Sequence, residues 1–313
     1  MESCHPALEE GSRQAESVPA AAFRDYVSAV PDLPSLRSHL ATLGRVLLGY
    51  SGGVDSTLLA VAGRQALGPE RFLAVIGRSA SYPETQYQSA VDVARQFDIP
   101  LLVVDTEEMA DPNYRANPSN RCYFCKTELW TRLGDVARSR GFDLIIDGTN
   151  ADDLGEHRPG LKAAGERHVR SPLAELGWTK AMIRSAAREL GLPLWDAPAA
   201  PCLSSRVQYG LEITEERLRQ VEEGESYLRR LGVTGDLRVR HHGDRARIEV
   251  QPAEFALLEG AWAAIEAEFS SLGFDRVELD SRGYRRGGLL SELPVLVASG
   301  TSARPPACPP ARP

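Results

Sequence analysis

The strongest constraint on this chain sits at residues 45–56. A short apolar run, Arg45-Val46-Leu47-Leu48-Gly49-Tyr50, leads into Ser51-Gly52-Gly53-Val54-Asp55-Ser56 and then into the helix-forming Thr57-Leu58-Leu59-Ala60-Val61-Ala62. A strand feeding a glycine-rich turn that opens a helix aims unpaired backbone N–H groups at one point, and the helix dipole favours negative charge there. Two adjacent glycines let the backbone approach an anion closely, and the serine hydroxyls add donors. The simplest such anion is a phosphate or pyrophosphate. The pattern is not a Walker loop, which needs Gly-x-x-x-x-Gly-Lys-Ser/Thr.

Around that turn, apolar runs alternate with helical patterns. Strands are expected at 45–50, 71–77, 101–105 and 144–147, and helices near 33–43 and at 56–67, 83–97, 124–139 and 179–190. Continuous Val/Ile/Leu strands separated by helices indicate an α/β fold whose parallel sheet is covered on both faces. Such sheets bind ligands at the carboxyl ends of their strands, here Ser51, Arg78, Thr106 and Gly148. A second, small α+β domain is expected from residue 211. Thr214 is placed to cap a helix to about 231, His242-Gly243-Asp244 joins strands 237–241 and 245–250, a helix runs over 252–272, and a last strand covers 276–279.

Composition narrows the class of function. A chain of 313 residues with 36 basic and 43 acidic side chains carries a net charge of −7, so no global basic field draws it onto nucleic acid. No stretch has the apolar length to span a bilayer, and no secretory pattern opens the chain. Five cysteines, an odd number in a long chain, fit a reducing, cytoplasmic setting and metal or redox chemistry. Residues 1–20 and 296–313 read as unstructured tails, leaving 21–210 and 211–295 as the two domains; Cys4 and Cys308 fall in the tails and receive no role.

Cys122-Tyr123-Phe124-Cys125 opens a helix, and a third cysteine stands in Pro201-Cys202-Leu203-Ser204-Ser205-Arg206. Spacing leaves several readings open. A redox disulfide needs only the pair. A structural zinc wants a fourth ligand that is not evident. A [4Fe–4S] cluster on three thiolates would leave one iron without a protein ligand, and three buried thiols can also serve as packing alone.

The turn at Ser51–Ser56 resembles the Ser-Gly-Gly-x-Asp-Ser signature of the PP-loop ATP pyrophosphatases, of adenine nucleotide alpha hydrolase-like fold, which cleave ATP between its α- and β-phosphates. With Asn120-Arg121-Cys122-Tyr123-Phe124-Cys125-Lys126, Asp147-Gly148-Thr149-Asn150-Ala151-Asp152-Asp153, Arg158-Pro159-Gly160, the Cys202–Arg206 segment with Tyr209-Gly210, and Arg238-Val239-Arg240, the chain resembles the LarE family of ATP-dependent sulfur transferases over about 36–290. That resemblance implies adenylation of a carboxylate on pyridinium biscarboxylate mononucleotide, release of pyrophosphate, and displacement of AMP by sulfur to leave a thiocarboxylate for the nickel-pincer nucleotide cofactor. Some family members sacrifice a single cysteine. Others hold a [4Fe–4S] cluster on cysteines at the positions of Cys122, Cys125 and Cys202, and this chain has all three.

The resemblance also implies roles. Ser51, Gly52, Gly53 and Ser56 would cradle pyrophosphate, Asp55 would orient the loop or Mg²⁺, and Asp152, Asp153 or Glu156 would assist. Gly148 and Ser205 would line the nucleotide site. Lys126, Arg206, Arg238 and Arg240 would counter the negative charge gathered during adenylation, with Arg238 and Arg240 on one strand face as a phosphate grip or a plain solvent face. Glu225 and Glu249 match an acidic site of the family, for metal or subunit contact. Tyr82 and Trp195 are candidates to stack on a ring, while His157, His241 and His242 carry no chemistry. The expected cofactors are ATP, Mg²⁺ and the cluster; the expected partners are the mononucleotide, a sulfide donor and further copies of the chain. A tRNA thiolation enzyme would call for a basic face or a second Cys-x-x-Cys. An ammonia-using synthetase would leave the cysteines idle, and a non-catalytic nucleotide-binding module would release no pyrophosphate.

Overall fold

The structure, a computed structural model, describes residues 31–155, 159–198, 201–285 and 289. The expected tails with Cys4 and Cys308, and Glu156, His157 and Arg158, lie outside the described residues. Helix α1 (Leu33–Ala41) precedes the alternation β1 (Val46–Gly49), α2 (Val54–Leu67), β2 (Phe72–Arg78), α3 (Glu84–Gln96) and β3 (Leu101–Asp105). A short α4 (Pro112–Arg115), the long α5 (Arg121–Arg140) and β4 (Leu144–Ile146) follow, then α6 (Pro159–Glu166), α7 (Pro172–Glu175) and α8 (Lys180–Glu189).

The four strands form one parallel sheet in the order β3-β2-β1-β4, with Val46 opposite both Phe72 and Leu144. Period-two alternation sends neighbouring side chains to opposite faces. Val46, Leu48, Ala74 and Ile76 pack with Leu58 of α2, Val93 of α3 and Ile183 of α8. Leu47, Leu73 and Val75 pack with Trp130 and Leu133 of α5 and with Ala163 and Ala164 of α6. Helices therefore cover both faces, as the unbroken apolar strands require.

Thr214 caps α9 (Glu215–Arg230) by accepting from Arg217 N, which opens a smaller unit of β5 (Leu237–His241), β6 (Arg245–Val250), α10 (Phe255–Gly260), α11 (Trp262–Ser271) and β7 (Arg276–Leu279). β5 and β6 pair antiparallel, β6 and β7 parallel, over a core of Leu228, Val239, Ile248, Ile265 and Phe269. The single helix expected over 252–272 is instead a 3₁₀ turn at Pro252–Glu254 followed by two helices that part at Ala261 (φ −109°). Gly260, a poor helix former, ends the first of them.

A further small core joins the two units. Tyr114, Leu203, Val207, Ile213, Leu218 and Val221 pack together, with Met109, Phe124 and Cys125 against them. This core fixes the start of α5 beside the segment that carries Cys202.

Candidate active site

The turn between β1 and α2 is held open toward its centre. Gly53 occupies the N-cap position of α2 with no side-chain cap, and the first backbone bond runs from Thr57 N to Gly53 O, so the earlier N–H groups point out of the helix. Ser56 Oγ donates to Gly53 O at 3.0 Å and lies 3.1 Å from Ser51 Oγ. Ser51 O accepts from Tyr82 Oη at 2.9 Å and Gln86 Nε2 at 2.7 Å, which fixes the entry to the loop from α3 and the segment before it. Gly52 has φ +69°, and a Cβ there would stand 2.7 Å from Ala90 Cβ. At Gly148 a Cβ would stand 2.8 Å from Ser56 N. Gly148 thus packs directly on the helix start, held by Asp147, whose carboxylate accepts from Thr149 N, Thr149 Oγ1 and Ser171 Oγ.

Asp55 Oδ2 pairs with Lys180 Nζ at 2.5 Å, while Asp55 Oδ1 is buried without a hydrogen-bond partner. That orphaned oxygen beside the phosphate cradle is the donor a Mg²⁺ ion would use. Asp152 Oδ2 accepts from Lys180 N at 2.8 Å, so this acid holds the first residue of α8 and sets the lysine in place. Asp153 Oδ2 accepts from Asn150 N at 3.1 Å in the same turn.

Cys122 lies in the first turn of α5 and Cys125 at the start of its second, and Cys202 immediately precedes the 3₁₀ turn Leu203–Arg206. All three thiols are free. Burial pushes the Cys125 thiol up, with Glu108 and Cys202 adding to the rise; the Cys122 thiol is raised as well, by desolvation of its sulfur and then by Cys202, although the residue as a whole is exposed. Arg121 and Lys126 work against the rise at Cys122. Tyr114, whose hydroxyl meets Ser204 Oγ at 2.6 Å, is likewise raised by burial first and then by Cys202 and Cys125. Among the described residues no three Cys, His, Asp or Glu side chains surround one point as ligands of a single metal ion. Three thiols are the donor type an iron–sulfur cluster takes, and Cys202 acts electrostatically on both Cys122 and Cys125.

One short segment connects cradle and thiols. Ser81 O accepts from Leu203 N at 2.8 Å, and the adjacent Tyr82 donates to Ser51 O. The Cys202 loop is further locked from the smaller unit. Arg206, 3% exposed, donates from Nε and Nη2 to the two oxygens of Glu225 at 3.0 Å each, and from Nη1 to Cys202 O at 2.9 Å and to Pro201 O. Arg240 donates to Glu249 Oε2 from Nε at 2.9 Å and Nη2 at 2.8 Å, and to Ser205 O at 3.1 Å. Arg238 lies over the Tyr284 ring at 5.2 Å. Both strand arginines are buried, which excludes the plain solvent face. Glu225 and Glu249 serve as their own chain's arginine partners.

Other expected groups lie elsewhere. Lys126 Nζ stands 5.1 Å from the Trp130 ring centre, and Trp195 is partly exposed under Arg188. His241 is buried and meets Gln220 Oε1 at 2.8 Å. Lys180 escaped sequence reasoning, since nothing local marks it as Asp55's partner.

The chain matches the NAD synthase family over residues 35–133. It is 45% identical over 259 residues to an uncharacterized protein of Synechocystis sp., spanning 82% of this chain and 96% of that one. It is 34% identical over 259 residues to the pyridinium-3,5-bisthiocarboxylic acid mononucleotide synthase of Lactiplantibacillus plantarum, spanning 83% of this chain and 94% of that enzyme. The chain belongs to the LarE family. As a LarE-family protein it is an ATP-using sulfur transferase with a PP-loop fold. An uncharacterized protein of Methanocaldococcus jannaschii is 30% identical over 241 residues, 77% of this chain and 91% of its own length. No helix among the described residues is long and apolar enough to cross a membrane.

Proposed function

We propose that this LarE-family chain adenylates a carboxylate of pyridinium biscarboxylate mononucleotide and replaces one of its oxygens with sulfur. The observation that carries the reading is the segment Ser81-Tyr82, which holds the Cys202 loop by one residue and the phosphate loop by the next. A carboxylate oxygen attacks the α-phosphorus of ATP, the bond to the β-phosphate breaks, and pyrophosphate leaves with the electron pair. A sulfur nucleophile then adds to the acyl carbon, and AMP departs to leave a thiocarboxylate.

The backbone N–H groups at Gly53 and the start of α2, with Ser51 and Ser56, receive the departing pyrophosphate. Lys180 neutralises its charge, and Asp55 Oδ1 would hold Mg²⁺. Gly148 lets the facing wall approach the start of α2 closely. Arg206 is a positioning residue: it grips the carbonyls on either side of the Pro201–Cys202 bond and so aims Cys202. Arg240 does the same for Ser205, and Lys126 adds positive charge beside Cys122. Cys122, Cys125 and Cys202 would hold a [4Fe–4S] cluster, which when bound supplies an iron with a coordination position open to sulfur. The reading places the chain in a reducing cytoplasm, where such thiols persist.

The test is an anaerobic incubation with ATP, Mg²⁺ and the mononucleotide. AMP and pyrophosphate should form only when the mononucleotide is present, and the product mass should show sulfur in place of oxygen. Pyrophosphate release that ignores the mononucleotide would overturn the substrate assignment.

A further inference from the structure

Arg121 is the first residue of α5 and is 4% exposed. The buried Arg206 and Arg240 each face a carboxylate, Glu225 and Glu249. Arg121 has no ion pair among the described residues; Nη1 donates to the neutral Asn117 Oδ1 at 2.9 Å, and Nε is buried without a hydrogen-bond partner. The helix start adds to the imbalance, since its dipole end is positive and the first turn of α5 holds no acidic residue. A buried charge left uncompensated is strongly destabilising, so the fold has reason to gather an anion here.

The side chain is anchored on both sides. Its guanidinium lies over the Tyr209 ring, 4.6 Å from the centre. Arginine only donates, so Asn117 turns its amide oxygen toward Arg121 and its nitrogen away. That nitrogen donates to Val207 O at 3.3 Å, Gln208 O at 2.8 Å and Leu211 O at 3.0 Å. Asn117 sits at φ +52°, a conformation asparagine tolerates. Arg121 is thus fixed between the start of α5 and the chain that continues from the Cys202 loop. Cys122 is the next residue, and the charge of Arg121 works against the rise of its thiol, which agrees with that placement.

We propose that Arg121 is the buried counter-cation of the three-thiol centre, balancing the negative charge that Cys122, Cys125 and Cys202 carry as thiolates. The assignment rests on the reading that these three hold a [4Fe–4S] cluster, and it leaves the fourth iron open to sulfur. Reduction adds negative charge to such a centre, and a fixed cation beside it favours that step.

The experiment uses the full chain reconstituted anaerobically with iron and sulfide, as wild type, Arg121→Lys and Arg121→Met. Iron content is measured first, then the midpoint potential of the cluster in a dye-mediated titration followed by electron paramagnetic resonance. Arg121→Met should shift the potential to more negative values. Arg121→Lys, which keeps the charge but not the planar fork, should restore most of that shift. Arg121→Met should also lose iron to a chelator roughly tenfold faster than wild type, the loss typical of removing a residue that supports a metal site from outside its ligand set. A methionine variant that takes up no iron while the lysine variant does would support the same assignment. Equal potentials in wild type and Arg121→Met, or equal shifts in both variants, would overturn the counter-cation and leave Arg121 a packing role. A lysine variant that takes up no iron would overturn it as well. A wild type that binds no iron would remove the cluster reading itself, and its iron content alone separates these failures.

Discussion

Lys180 stands 125 residues from Asp55 in the chain and 2.5 Å from it in space. Its amine neutralises the acid until the phosphates of ATP arrive, and then has a second anion to serve. Lys180→Ala should lower kcat/KM for pyrophosphate release by about 10²-fold, the loss typical of one preorganised charge-stabilising donor, as read in a coupled pyrophosphate assay. Cys202→Ala should stop sulfur transfer but leave mononucleotide-dependent AMP formation; loss of both would contradict the separation between activation and sulfur supply. Gly148→Ala should cost about 1–3 kcal/mol in urea denaturation and weaken ATP use, because the new methyl would meet backbone at Ser56 rather than a yielding side chain. Gly148 drew notice in the sequence because it follows a strand and lies in a segment that carries the family resemblance. Lys180 had no such signal, since its partner is brought close by the fold alone.

Elements explain how the Cys202 loop keeps its shape. The turn Leu203–Arg206 is too short to order itself, so Arg206 ties it to Glu225 of α9 and Arg240 ties it to Glu249 of β6. Glu225→Gln should destabilise the protein by about 3–5 kcal/mol, because it leaves the buried Arg206 without its anion. A change below 1 kcal/mol in urea denaturation would show that the pair is a bystander. The strands and the long helices were legible, since unbroken apolar runs and 3.6-residue periods survive into the fold: the stretch expected at 101–105 is β3, and that at 179–190 is α8 with Thr179 as its cap. Helix α5 begins at Arg121, earlier than its apolar period suggests, and this puts Cys122 in its first turn and Cys125 at the start of its second. The break at Ala261 was not legible, because Trp262 and Leu258 continue the apolar pattern across it.

At the scale of the whole molecule, two sheets are joined through a small apolar core and a layer of buried arginines and carboxylates. His241 belongs to this joint. Its imidazole is pushed down to about 4 from an ordinary value of 6.5, first by burial and then by Arg217 and His242. In the folded chain it stays neutral while the unfolded chain takes up a proton, so stability present above pH 6.5 is lost as pH falls toward 4. Thermal or urea denaturation should show a slope of roughly 1 kcal/mol per pH unit in that window, and His241→Gln should flatten it. A slope unchanged in the variant would assign the acid sensitivity to other groups.

On the proposed reading, three thiols from two distant segments meet beside the phosphate cradle and hold iron there. Anaerobic purification followed by iron and acid-labile sulfide determination tests it most directly. A brown protein with about four iron and four sulfide per chain, both lost in Cys202→Ser, is the predicted result. A colourless, iron-free protein that gives up one sulfur from its own mass on turnover would contradict it.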